Sequence, residues 1–397
     1  MKPPTLVLAL ALVVAVGASG LSLPVLAAST PAEAPAKAPA KAPAKAPAKA
    51  PAKAPAKPSA KASAKASTRA PAKASVNNAT AGYAGRADVQ SFIDELAREH
   101  GFDRAALARV FAAARPQPKI IAAMQRPLLE PPKWHEYAPS FLSPARVAGG
   151  VAFWNAHAAE LARAEAAFGV PPEVVVAILG VETFYGRNTG SHRALDALST
   201  LAFDYPRRAA FFRGELKQYL LLARDLDAPP ATLKGSFAGA LGVPQFMPGS
   251  YRNFAVDFDE DGRVDLWAAS ADIIGSVANY LARHDWQRGQ PVLLPATLAP
   301  DGRDVVLRRL DGGLSERRPL AAWAGDGVTA DAPANLAPDP VGLLLLEEIS
   351  ATGEDASYWI ACNNFYVITR YNRSRLYAAA VWELAKAIRS ARAAQTP

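Results

Sequence analysis

From about residue 84 onward, apolar positions recur at helical spacing. Val89, Phe92, Ile93 and Leu96 fall on one helix face, as do Leu107, Val110 and Phe111 behind Asp103, a residue type suited to cap a helix. Residues 143–168 (SPARVAGGVAFWNAHAAELARAEAAF) read as one long helical pattern carrying Phe153, Trp154 and Leu161. Further helices are predicted over about 172–185, 207–225, 270–284 and 374–391. Between 291 and 372 the pattern shortens. Val292–Leu294, Val305–Leu307 and Phe365–Ile368 are brief branched or aromatic runs between Pro and Gly, which predicts strands. The expectation is an α+β domain over 84–391, mainly helical, with a small β-rich insert at about 291–372 and a short tail at 392–397.

The first 83 residues follow another pattern. Lys2, the apolar run Thr5–Val16 and the small residues leading to Val25-Leu26-Ala27 predict a signal peptide over 1–27. The run is short against the roughly 20 residues of a membrane span. No Cys lies near the cleavage site, so a soluble exported protein is expected and a lipoprotein is not; an uncleaved anchor is the alternative. Residues 28–83 are dominated by an Ala-Pro-Ala-Lys repeat with no bulky apolar side chain to bury until its last few residues. Pro at every fourth position opposes helix and like charges stretch the chain, so this is a disordered linker. It serves as a tether, or as a cationic arm on an anionic polymer.

Charge sharpens that division. The formal net charge is +8, but residues 31–75 alone hold nine Lys, one Arg and one Glu. The remainder is close to neutral, so the basic balance does not indicate nucleic-acid binding. A single cysteine, Cys362, excludes an intrachain disulfide and a CxxC site. The five His are scattered, and neither a GxSxG nor a phosphate-binding loop occurs.

Three segments carry candidate chemistry. In 170–190 (VPPEVVVAILGVETFYGRNTG), Glu182 is the only acidic or basic side chain between Glu173 and Arg187 and shares a face with Val175 and Ile178. A carboxyl on an apolar face loses hydration and its pKa rises, as a general acid near neutral pH requires. On spacing alone, a glutamate at the edge of a solvated face explains it as well. In 234–251 (KGSFAGALGVPQFMPGSY), small residues precede Gln245 and Phe246; they suit close backbone approach to a ligand, with Ser236 and Gln245 as hydrogen-bonding groups, or a tight helix-to-loop junction. In 257–272 (DFDEDGRVDLWAASAD), Asp257, Asp259 and Asp261 take positions 1, 3 and 5 of a calcium loop, Gly262 the turn, and Arg263 the carbonyl position. Position 12 is Ala268, so Asp265 or Asp272 would have to complete the set; a solvated acidic turn is the alternative.

Together, ILGVET with Tyr185-Gly186, Asp204-Tyr205-Pro206-Arg207-Arg208 and Gln245–Pro248 resemble the membrane-bound lytic transglycosylase B family. Glu136-Tyr137, Trp267, Gly275–Tyr280 and Tyr371-Asn372 extend the match over about 85–391. The resemblance implies a lysozyme-like enzyme that cuts peptidoglycan in the periplasm, with Glu182 as catalytic acid/base. It implies that Ser236, Arg207, Arg208, Gln245, Phe246, Tyr280, Tyr371, Asn372 and Tyr377 line the saccharide groove. The paired arginines would face substrate carboxylates and the tyrosines would stack on sugars. It implies a structural calcium ion in an EF-hand-like loop, no cofactor for catalysis, and a monomer. Its partners are then glycan strands and cell-wall synthesis or hydrolase complexes. The lipid-attachment Cys of the membrane-bound member is missing. A hydrolytic glycosidase usually needs two carboxyls; Glu173, nine residues before Glu182, falls on the opposite helix face at about 100° per residue. Asp196, Asp204 and Glu215 stay open as partners. A single carboxyl fits the transglycosylase route to a 1,6-anhydro ring; a muramidase-type hydrolase and a non-catalytic wall-binding protein are the alternatives.

Overall fold

The computed structural model describes residues 82–126, 131–351 and 353–395, so the predicted signal peptide and nearly all of the Lys/Ala/Pro-rich stretch lie outside it. The described residues belong to one compact unit. Tyr83, assigned to the linker by composition, is 1% exposed and donates to Asp204 Oδ2 at 2.5 Å, so it is part of the core.

The first helices form as their spacing predicts. Helix α1 (Ala87–His100) buries Val89, Phe92, Ile93 and Leu96 and ends at Gly101 in the left-handed region. Helix α2 (Arg104–Ala113) is capped by Asp103, whose side chain accepts from the Ala106 N–H at 2.6 Å. Short helices α3 (Pro118–Met124) and α4 (Trp134–Tyr137) follow. The predicted long helix over 143–168 is two helices, α5 (Pro144–Ala156) and α6 (Ala158–Phe168), broken at His157. The buried Val151 and Leu161 would sit about 80° apart on an unbroken helix, and the break lets each half aim its apolar stripe inward.

Helix α7 (Pro172–Thr183) begins behind Pro171 and runs through the core, with Val174 to Leu179 each 0–1% exposed. A helix that is apolar on all sides belongs in an interior. Helix α8 (Ala194–Asp204) packs on α9 (Ala209–Asp225), and α10 (Pro248–Phe254) and α11 (Ser270–Arg283) follow. Helix α15, the last, spans Arg375–Ala393 and packs along α7 and α5; it takes in Arg392 and Ala393, which were expected in the tail.

Between α11 and α15 the chain builds a six-stranded antiparallel sheet. Its strands are β3 (Leu293–Leu298), β4 (Leu310–Asp311), β5 (Leu314–Ser315), β6 (Val328–Ala330), β7 (Gly342–Ser350) and β8 (Gly353–Ala361), in the order β4-β5-β7-β8-β3-β6. Strands β1 (His192–Arg193) and β2 (Lys234–Gly235) pair separately. The hairpin of β7 and β8 is in register from Gly342 opposite Ala361 to Ser350 opposite Gly353. Two of the three expected strands are helical: Val305–Leu307 lies in α12 (Arg303–Leu307) and Phe365–Ile368 in α14 (Asn363–Tyr371), with α13 (Leu320–Gly325) between them. Phe365 and Ile368, three apart, are both fully buried, a helical spacing that so short an apolar run does not reveal. Among the described residues no single helix is long and apolar enough to cross a membrane.

Candidate active site

Glu182 stands in the last turn of α7, where the apolar helix meets a strained exit. Phe184 and Tyr185 both have positive φ, 54° and 60°, which costs bulky residues about 1 kcal/mol or more each. Several contacts hold the turn. Thr183 Oγ1 donates to the Val243 carbonyl at 2.9 Å and accepts from the Gly186 N–H at 3.0 Å. Tyr185 donates to the Arg146 carbonyl at 2.8 Å, and its ring fits only because residue 180 is glycine, where a Cβ would stand 2.6 Å from the Tyr185 hydroxyl. Buried Arg146 donates to the Gly180 and Ser140 carbonyls.

The Glu182 carboxyl is closed in by tyrosines. Tyr377, near the start of α15, donates to Glu182 Oε1 at 2.6 Å. Tyr371 and Tyr137 lie within electrostatic reach, since the Glu182 charge adds to the upward shift that burial imposes on each phenol. The Tyr137 hydroxyl is buried and makes no hydrogen bond to a described residue. Burial pushes the Glu182 carboxyl up to about 7, and the Tyr377 hydrogen bond pulls in the other direction. No second carboxylate among the described residues perturbs it. Asp204 is taken by Tyr83 and Arg86, Asp196 by the Arg115 N–H and Arg193, Glu215 by the Gly249 N–H, and Glu173 by Arg389.

Beside this carboxyl lies a cavity of ≈ 450 Å³, and Tyr371 belongs to both. Its aromatic wall is Phe246, Tyr280 and Tyr371, with centroids 4.9–5.7 Å apart. Tyr280 donates to the Arg370 carbonyl and Tyr371 to the Pro244 carbonyl, each at 2.6 Å. Gln245, at φ 53°, donates to the Thr189 and Gly242 carbonyls, which fixes the loop that carries it. Arg208, Arg370 and Arg373 also line the cavity, and none makes an ion pair with a described residue. Arg208 rests on Phe211, 4.2 Å from the ring centroid. The wall is therefore aromatic and cationic, which suits a sugar carrying carboxylates.

The acidic loop forms a second cluster. Carboxylate oxygens of Asp257, Asp259 and Asp272 converge within 4.8 Å of one another. Asp272 is 1% exposed and accepts from the Phe258 and Asp265 N–H groups at 2.6 and 2.8 Å. Asp259 is exposed; partial loss of hydration among its neighbours and the Asp272 charge raise its pKa. Hard oxygen donors gathered this way fit calcium. The carboxylates of Asp261 and Asp265 are not in this group. Asp261 accepts from the Arg263 N–H at 2.8 Å, and Asp265 from the Trp267 N–H at 2.7 Å.

The Transglycosylase SLT domain family matches residues 84–386. The chain belongs to that family. It is 42% identical over 319 residues to membrane-bound lytic murein transglycosylase B of Escherichia coli (strain K12), across 78% of this chain and 85% of that protein. Among solved structures it resembles the soluble lytic transglycosylase SltB1 of Pseudomonas aeruginosa, at 44% identity and a TM-score of 0.71, covering 77% of this chain and 99% of that one. It also resembles the Escherichia coli lytic transglycosylase Slt35 in complex with calcium, at 42% identity and a TM-score of 0.69, covering 78% and 95%. The fold is thus the expected α+β, mainly helical, lysozyme-like one.

Within this transglycosylase the nominated residues divide. Arg208, Gln245, Phe246, Tyr280, Tyr371 and Asn372 line the cavity. Ser236, Arg207 and Tyr377 do not. Ser236 Oγ accepts from the Ala240 N–H at 3.0 Å and braces the glycine-rich turn, and Arg207 is exposed to solvent. Tyr377 is 1% exposed and bonded to Glu182, so its ring has no open face on which a sugar could stack. Tyr137 belongs to the recognised Glu136-Tyr137 motif but was given no role, and Arg370 and Arg373, on either side of Tyr371-Asn372, were missed.

Proposed function

We propose that this chain is a lytic transglycosylase that cleaves the β-1,4 bond between N-acetylmuramic acid and N-acetylglucosamine in peptidoglycan. The observation that carries this is a lone, desolvated Glu182 with one hydrogen-bond partner and no neighbouring carboxylate among the described residues. Held protonated near neutral pH, Glu182 gives its proton to the bridging oxygen as the glucosamine leaves. The resulting carboxylate, stabilised by the Tyr377 hydroxyl, takes the proton from the muramoyl 6-hydroxyl. That oxygen attacks the anomeric carbon and closes the 1,6-anhydro ring. The acid is restored and no water is consumed, so one carboxyl serves both steps. The substrate's own acetamido group stabilises the positive charge between them, in place of a protein nucleophile.

The arginine side of the cavity receives lactyl or stem-peptide carboxylates, while Phe246, Tyr280 and Tyr371 face the sugar. Asp257, Asp259 and Asp272 hold a calcium ion that stiffens the loop and supplies no chemistry to the reaction; the calcium complex of Slt35 supports this reading. Residues 1–27 direct export to the periplasm, and the stretch from residue 28 up to Tyr83 tethers the domain. The test is turnover of purified sacculi. Wild type releases soluble muropeptides, and Glu182→Gln, folded by circular dichroism, releases essentially none. An active Glu182→Gln refutes the assignment.

A further inference from the structure

Two helices that carry the tyrosines around Glu182 are fastened to the same strand. Helix α4 has four residues, too few to set its own direction, and it docks on β7. The Trp134 N–H donates to Glu347 Oε2 at 3.2 Å, and His135 Nδ1 lies 3.2 Å from the Glu347 carbonyl oxygen. Arg375, the first residue of α15, reaches the same place. Its Nη2 donates to Glu347 Oε1 at 2.6 Å, its Nη1 to the Leu345 carbonyl at 2.7 Å, and its Nε to the Gly312 carbonyl. The chain is shaped around this guanidinium: a Cβ at Gly313 would stand 2.5 Å from its Cζ. The pair is shielded, with side chains 14% and 28% exposed. Each oxygen of Glu347 thus serves one helix. Two residues beyond Arg375 is Tyr377, bonded to Glu182, and three beyond Trp134 is Tyr137, whose hydroxyl lies within reach of the Glu182 charge.

We propose that Glu347 and Arg375 are positioning residues for the reaction: their ion pair ties α4 and α15 to β7 and so sets Tyr137 and Tyr377 against the Glu182 carboxyl. The sheet then acts as a brace for the acid from a residue 165 positions away in sequence. A glutamine at 347 has one acceptor oxygen for two donors, so Glu347→Gln releases one helix while the packing of both stays in place. This inference rests on Glu182 being the catalytic acid.

The experiment measures kcat and KM on soluble, uncrosslinked glycan chains for Glu347→Gln and Arg375→Met. Each is placed in the wild-type background and in one lacking both hydroxyls (Tyr137→Phe with Tyr377→Phe), with substrate in excess and long incubations so that slow turnover is read. In wild type, kcat falls about tenfold while KM stays within about twofold, the mark of a contact felt in the transition state. In the double-phenylalanine background the same substitutions cost less than about twofold, because coupled residues are non-additive. Equal fold-losses in both backgrounds overturn the proposal, as does a lowered melting temperature with unchanged kcat. If Glu347→Gln does not fold, Arg375→Lys, which keeps the charge and gives up the carbonyl bonds, is read by the same criteria. An active Glu182→Gln would sink the assignment of the acid itself, so the two failures are distinguishable.

Discussion

Replacing Glu182 by glutamine should stabilise the protein at alkaline pH and do little at acid pH. An unfolded glutamate titrates near 4.5, whereas burial raises this one to about 7. Between those values the native state binds a proton that the unfolded chain has lost, so wild-type stability falls as pH rises through that window and stays low above it. A displacement of this size is worth about 3 kcal/mol, an upper figure because Glu182 keeps part of its surface open. Glutamine keeps the shape and the acceptor for Tyr377 but never ionises. The difference between variant and wild type isolates this one group, since other titrating groups are common to both. For a domain of this size, 3 kcal/mol is roughly 5 °C in Tm. Calorimetric melts at pH 4.5, 6, 7 and 8 provide the assay: the Tm of Glu182→Gln minus that of wild type should be near zero at pH 4.5, should grow through pH 6 and 7, and should level off by pH 8. A difference that is flat across pH would refute the claim that Glu182 is desolvated, and with it the reason for treating it as a neutral-pH acid.

Other outcomes follow from the same geometry. Because Tyr377 favours the carboxylate, Tyr377→Phe should move the alkaline limb of the kcat–pH profile upward from about 7 while lowering kcat; a downward shift contradicts the hydrogen bond's assigned sign. Calcium at about 100 times its Kd should add about 2.7 kcal/mol of stability by mass action, read as a raised Tm that chelator reverses. Asp259→Asn should abolish that response, and a calcium-insensitive melt would remove the site. Deleting residues 30–75 should weaken binding to sacculi at low salt without changing turnover of short soluble glycans, since attraction through the lysine-rich stretch is screened by salt. Parallel loss of both would place that stretch in the catalytic unit.

What could be read from sequence depended on whether a residue's surroundings were local. Glu182 stood out because a lone carboxyl in an apolar helix has a local signature, and its helix indeed runs through the core. The turn at Phe184-Tyr185 did not, because its left-handed backbone is held by Arg146 and Val243, both far away in sequence. The break at His157 was hidden because both halves are amphipathic and only their phases differ. Val305–Leu307 and Phe365–Ile368 were mistaken for strands because so few apolar residues show no period, while the hairpin of β7 and β8 went unremarked. At the site, chemistry-bearing types were recognisable, but adjacency misled. Arg207 and Arg208 are neighbours that part, one to solvent and one to the cavity, whereas Arg370 and Arg373 reach the cavity from either side of a recognised motif. The acidic loop shows the same limit: the spacing offered Asp257, Asp259 and Asp261 with Asp265 or Asp272 to complete them, and folding gathers the carboxylates of Asp257, Asp259 and Asp272, the last from α11.

The central claim is that one carboxyl completes the reaction without water. Digestion of purified sacculi in H2¹⁸O, followed by mass spectrometry of the muropeptides, tests it directly. The account predicts 1,6-anhydromuramoyl ends, one water lighter than reducing ends and free of ¹⁸O. Reducing muramic acid ends carrying ¹⁸O would contradict it and would require a second group near Glu182 to activate water.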